Sequence, residues 1–209
     1  MESVLRLYNL PYDEKRPVIC FDELPVQLID DLIEPLEMKT GKPRRVDYEY
    51  KRAGTASLLV AIEPLTGKRL VETSRQRTKA DYSRFLKRVS REWDQAEKVV
   101  LVQDNLNTHN AGSFYENLPA EEAFALAQRF EMRYTPKKGS WLNIAELELS
   151  ALVRVCLRRR ISSIEKLDRE VQAIVKERNE MKVTVDWQFS IEQAREKLGR
   201  HYDEVKSKN

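Results

Sequence analysis

Apolar and polar residues follow several different rhythms along this chain. Pro17–Asp22 reads PVICFD, a short apolar run that stops at an acid, the pattern of a buried strand. The polar residues 1–16 ahead of it are expected to form an extended lead-in. Gln27–Lys39 is mixed and broken by Pro35, and Thr40-Gly41-Lys42-Pro43 marks a loop, so an insertion is expected after the first strand. Val46–Lys51 (VDYEYK) alternates, Ser57–Ile62 (SLLVAI) is apolar and Lys68–Thr73 is KRLVET. With turn residues at Ala53-Gly54 and Pro64-Leu65-Thr66-Gly67, these predict meander strands.

Thr78–Gln95 puts Tyr82, Phe85, Leu86, Val89 and Trp93 on one helical face. Lys98–Asp104 (KVVLVQD) repeats the form of the first strand and again ends in an acid. Pro119–Phe130 predicts a helix, Glu131–Thr135 a short strand and Pro136–Ser140 a basic loop. Asn143 to about Arg160 predicts an amphipathic helix with Leu147, Leu149, Leu152, Val153 and Cys156 apolar. This order over residues 17–160 argues an α/β fold with a mixed sheet. Ser163–Asn179 and Ile191–Tyr202 read as further helices, a C-terminal extension over 161–209 packed on or beside that domain.

Composition narrows the class. A chain of 209 residues suits one compact domain, alone or with a helical annex. Lys plus Arg number 37 against 34 acids, and a net charge of +3 is too small to announce nucleic-acid binding by itself. No apolar run approaches the roughly 20 residues that span a bilayer, and the N-terminus lacks a signal-peptide stretch. A cytoplasmic protein without a membrane partner is expected. Cys20 and Cys156, in a strand-like and a helix-like run, read as buried thiols rather than a disulfide framework.

The candidate chemistry lies in the acids. If the strands ending at Asp22 and Asp104 are parallel neighbours, both carboxylates emerge at one carboxyl-end edge of the sheet, where open α/β sheets bind ligands. Glu146, in the first turn of a helix behind the loop KKGSW, can bring a third. Three converging carboxylates need a countercharge, and hard oxygen donors suit Mg²⁺, with Mn²⁺ as substitute. Two ions would serve in-line attack by water or a 3′-hydroxyl on a phosphodiester. The plainer alternative is that each Asp is a helix cap or turn residue. Glu23 is expected on the opposite face from Asp22, Glu148 cannot share the direction of Glu146, and Asp30 and Asp31 read as a solvated pair. Asn105 and His109 either orient ligands or phosphate, or serve as a turn cap and a surface histidine. His201 is too remote to complete a zinc site.

The segments VICFDE, QDNLNTH, TPKKGSWLN-x-A-E and WQFSIEQAREKL together resemble the DDE catalytic domain of IS630-family transposases, within the Tc1/mariner group. The resemblance covers most of residues 12–203 and carries catalysis and metal binding to Asp22, Asp104 and Glu146. It implies an RNase H-like fold, a mixed five-stranded sheet flanked by helices. It also implies DNA strand cleavage and transfer during transposition, with a TA target preference. Transposon ends and target DNA are then the expected partners, and a homo-oligomer on DNA the working form. No helix-turn-helix pattern precedes Asp22, so a separate or fused N-terminal recognition module is expected to supply end recognition. Two alternatives stay open: an RNase H-like nuclease without strand transfer, and a truncated or domesticated DNA-binding regulator.

Basic residues cluster at Lys42, Arg44 and Arg45, at Arg75, Arg77 and Lys79, at Lys137 and Lys138, and at Arg158–Arg160. Lys137 and Lys138, just before the catalytic helix, are the best placed for DNA phosphates. Trp141 either stacks on a base or anchors the core, and Arg158–Arg160 serve a helix end as readily as DNA.

Overall fold

The computed structural model describes residues 1–35, 38–42, 45, 47–137 and 139–199. In chain order the elements are α1 (Glu2–Tyr8), β1 (Val18–Asp31), β2 (Tyr50–Ile62), β3 (Arg69–Ser74), α2 (Lys79–Glu92), β4 (Val99–Gln103), α3 (Gly112–Asn117), α4 (Ala120–Arg129), β5 (Phe130–Tyr134), a 3₁₀ turn (Ser140–Leu142), α5 (Ala145–Cys156), α6 (Ile164–Glu180) and α7 (Ile191–Lys197). The five strands form one sheet in the order β3-β2-β1-β4-β5. β1–β2 and β2–β3 are antiparallel, while β1–β4 and β4–β5 are parallel. This is the mixed, helix-flanked RNase H-like sheet.

The apolar runs explain the centre. All five residues of β4 are buried, as expected of a parallel strand covered on both faces. Side chains of β1 alternate between two cores. Ile19 and Phe21 join Leu59 and Ala61 against Tyr82, Phe85, Leu86 and Val89 of α2 and Phe114 of α3. Val26 and Leu28 join Leu58, Val60 and Val71 against Leu149 and Leu152 of α5 and Leu167, Val171 and Val175 of α6. Each such side chain contributes roughly 1.5–3 kcal/mol on burial. Thr78 opens α2 with a capping box, exchanging hydrogen bonds with Asp81.

Several expectations need correction. The lead-in is not wholly extended: residues 2–8 are helical because Val4 and Leu5 find burial, against Cys20 and Val102 on one side and Leu142 and Ala194 on the other. Gln27–Asp31 continues β1, and Ile29 N–H donates to the Ile161 carbonyl (2.8 Å). The expected strands around residues 46–51 and 57–62 are not separate, since β2 runs unbroken from Tyr50, and Val46 lies outside the described residues. Ala53-Gly54 is a bulge in which two residues oppose Leu28, and Gly54 takes the positive φ (104°) that the bulge requires. Asp31 is not solvated but paired with Arg160 (2.7 Å), which also binds the carbonyls of Asp47, Tyr48 and Glu49. Both cysteines are buried free thiols.

The extension beyond residue 160 packs on the sheet. Gly67 permits this at one point: a Cβ there would meet the Val183 carbonyl oxygen at 2.6 Å. Among the described residues no helix is long and apolar enough to cross a membrane.

Candidate active site

The last β1–β4 pair is Cys20 with Val102; Asp22 lies two residues beyond it within β1, and Asp104 two residues beyond it, just past the end of β4 at Gln103. Strand alternation gives Asp22 the face of Cys20 and Val102. That face is covered by Ile144 and Ala145 at the start of α5, one residue before Glu146. The three acids predicted from separate parts of the chain are thereby brought to one edge of the sheet.

Asp22 is 7% exposed. Its Oδ1 accepts from the Glu23 N–H (2.8 Å) and its Oδ2 from the Asn143 Nδ2 (3.2 Å). Burial pushes its carboxyl up to about 7, with the charges of Glu146 and Asp104 adding to the rise against the Glu23 N–H bond. Glu146 is half-buried and has no cationic partner among the described residues.

Asp104 is tied from behind. Its Oδ1 lies 2.5 Å from His109 Nδ1, and His109 Nε2 lies 3.9 Å from Glu23 Oε1. The imidazole is buried in an aromatic slot, stacked on Tyr82 (5.1 Å between centroids, 22°) and edge-on to Phe21 (5.1 Å, 75°). Burial opposes its charge, but the hydrogen bond to Asp104 and the nearby carboxylate of Glu23 outweigh that and carry it up to about 9. The carbonyl of His109 accepts from Gln103 (3.0 Å) and Tyr134 (2.9 Å), closing the loop 104–109. His109 is thus not a surface histidine. Glu23 does take the opposite face from Asp22, and Asn105 is exposed beside Asp104.

Glu148 has a different setting. Its fully buried carboxylate lies 3.3 Å from Arg69 and accepts two bonds from Arg178 (2.9 and 2.8 Å). It binds α5 to β3 and α6. Most of the other basic clusters are likewise engaged: Arg75 with Glu165, Arg77 with Glu23, Lys79 with Glu116 and Arg159 with Glu170. Arg44, Lys138 and His201 lie outside the described residues. Lys137 is exposed, and Trp141 is 46% exposed with Phe189 edge-on to it (5.5 Å) rather than sunk in the core.

Sequence reasoning missed the role of Asn143, buried between β1 and α5. An Asn at a helix start three residues before Glu146 was the available signal.

The donor set fits a hard divalent cation: three carboxylates, one held unusually protonated by burial and by the other two. Among the described residues, however, no three acidic, histidine or cysteine side chains are drawn into a closed metal shell.

The sheet order and the helices that flank it define a protein with an RNase H-like fold. The sequence profile of the DDE superfamily endonucleases matches residues 17–168, and the chain belongs to that family. Its fold is similar to that in the Mos1 mariner paired-end complex with Mn (TM-score 0.51, 15% identity, 87% of this chain and 60% of that one). The pre-cleavage Mos1 transpososome also matches (TM-score 0.49, 16% identity, 87% and 59%). This chain spans about 60% of the length of those transposase chains. Among curated proteins none matches it.

Proposed function

We propose that this chain is the catalytic domain of a DDE transposase that cleaves and joins DNA strands, with Asp22, Asp104 and Glu146 as its catalytic carboxylates. The observation that carries the reading is that Asp22 and Asp104 each follow the last β1–β4 rung, Cys20 with Val102, by two residues, and that Ala145, next to Glu146 at the start of α5, packs on that same rung. The three acids would hold Mg²⁺ or Mn²⁺, in all two ions. When bound, these supply the Lewis acidity that activates water or a 3′-hydroxyl and stabilises the leaving oxygen.

The chain's own residues prepare the site. Desolvation and like charge make the bare Asp22 carboxylate unfavourable, so Asp22 would give up its proton on holding a cation. His109, buried, would hold Oδ1 of Asp104 from behind and so steady that carboxylate. Asn105 faces solvent beside Asp104, within the path of a phosphate. Lys137 and Lys138 meet the DNA backbone ahead of α5, and Trp141 stacks against an unpaired base. End recognition falls to an N-terminal helix-turn-helix module, separate or fused, and the working form is a homo-oligomer on DNA.

The test is a cleavage and strand-transfer assay on pre-cut end DNA with Mg²⁺ or Mn²⁺, comparing wild type with Asp22→Asn, Asp104→Asn and Glu146→Gln. Metal-dependent joining lost in all three variants supports the reading. Hydrolysis without joining would assign a nuclease instead, and activity indifferent to the three substitutions would refute the carboxylate mechanism.

A further inference from the structure

Asn143 is 1% exposed and bridges the two elements that carry Asp22 and Glu146. Its Nδ2 donates to the Phe21 carbonyl (2.7 Å) and to Asp22 Oδ2 (3.2 Å), and its Oδ1 accepts from the Ala145 N–H (3.2 Å). The Asn143 carbonyl accepts from the Glu146 N–H (3.1 Å) as well. One residue thus bonds to the backbone of β1, to the carboxylate of Asp22 and to the first turn of α5. A carboxamide suits the position because it combines two donors with an acceptor. Aspartate lacks the donors, and serine cannot span to the strand and the helix together.

We infer that Asn143 is a positioning residue that sets the separation of Asp22 and Glu146 and the orientation of the Asp22 carboxylate for a divalent cation. The inference rests on the three-carboxylate reading. Loss of an outer partner of a metal-binding carboxylate lowers metal affinity about 10–100-fold, whereas a merely structural clasp would lower the melting temperature and leave the folded protein's affinity intact. Serine still caps the following turn, so Asn143→Ser removes the bonds to β1 while sparing α5. Asn143→Thr, with the same local bonding, serves if the serine variant melts below the assay temperature.

The experiment is Mn²⁺ titration of the metal-free chain followed by electron paramagnetic resonance, with melting curves, for wild type, Asp22→Asn and Asn143→Ser. The expected result is Mn²⁺ binding by wild type, near loss in Asp22→Asn and about 10–100-fold weakening in Asn143→Ser. Affinity in Asn143→Ser within twofold of wild type, with Asp22→Asn still defective, would overturn this inference and leave the three-carboxylate reading standing. No Mn²⁺ binding by wild type, or equal binding by Asp22→Asn, would overturn that reading and this inference with it.

Discussion

Asp22 and Asp81 are buried to the same extent, 7% exposed each, yet their carboxyls move in opposite directions. At the cap of α2, burial alone would raise Asp81. The Thr78 N–H and hydroxyl, Arg84 and Ser74 donate to it and pull it down to about 2. Within β1, Asp22 is raised to about 7 by burial, with fewer donors to oppose it and two acidic neighbours adding to the rise. Burial raises both carboxyls; at Asp81 the donors outweigh it, and at Asp22 they do not. The same contrast recurs on α5, where Glu148 is enclosed by two arginines and Glu146, two residues earlier, has no cationic partner among the described residues. One set of acids is satisfied by cationic or hydrogen-bonding partners in the fold, and Glu146 has no cationic partner among the described residues.

The contrast can be broken most strongly through activity. Asn at Asp22 or Asp104, or Gln at Glu146, is expected to lower metal-dependent strand cleavage on the order of 10⁴-fold, the scale seen when one member of a catalytic unit is removed. Asp81→Asn should leave cleavage by the folded protein near wild type. Single-turnover rates on end DNA measure both.

Stability gives the converse. Glu148→Ala leaves Arg69 and Arg178 facing an empty buried site and should destabilise the chain by about 3–5 kcal/mol in urea unfolding. Asp81→Ala removes a cap and should lose about 0.5–2 kcal/mol.

The two aspartates should also answer pH with opposite signs. The folded pKa of Asp22 lies above its unfolded 3.8, so the metal-free fold loses stability from this group as pH rises from 3.8 through 7. Asp22→Asn should then melt above wild type at pH 8, with the gap closing near pH 4. The folded pKa of Asp81 lies below 3.8, so its contribution is present above that value and fades as pH falls toward 2. Melting curves across this range check both. The smallest effect is expected at the exposed loop before α5: if Lys137 meets a phosphate as proposed, Lys137→Ala should reduce the slope of log affinity against log salt by about 0.9 without changing the melting temperature.

Much of the site was legible because its acids end unmistakable apolar runs, VICFD and VVLVQD, and because Glu146 falls where an amphipathic helix must begin. The face of α2 was equally plain, since Tyr82, Phe85, Leu86 and Val89, with Trp93 at its C-cap, keep helical spacing. The β1–β2 hairpin was not, for a physical reason. Arg52–Thr55 are exposed and have no face to bury, so nothing in their pattern joins the strand read up to Lys51 to the one read from Ser57, and Gly54 looks like a turn when it is a bulge. α1 buries only Val4 and Leu5, too little to leave a periodicity. The partners of the site acids were hidden by distance: Asn143 meets Asp22 across 121 positions. The ring of His109 turns inward only because Tyr82 and Phe21 form its slot.

The central claim is that Asp22, Asp104 and Glu146 form one carboxylate centre completed by a divalent cation. Anomalous diffraction at the manganese edge from crystals of the chain grown with Mn²⁺ tests it most directly. The account predicts a peak at bonding distance from oxygens of both Asp22 and Asp104; no peak there, or manganese held only by other side chains, would contradict it.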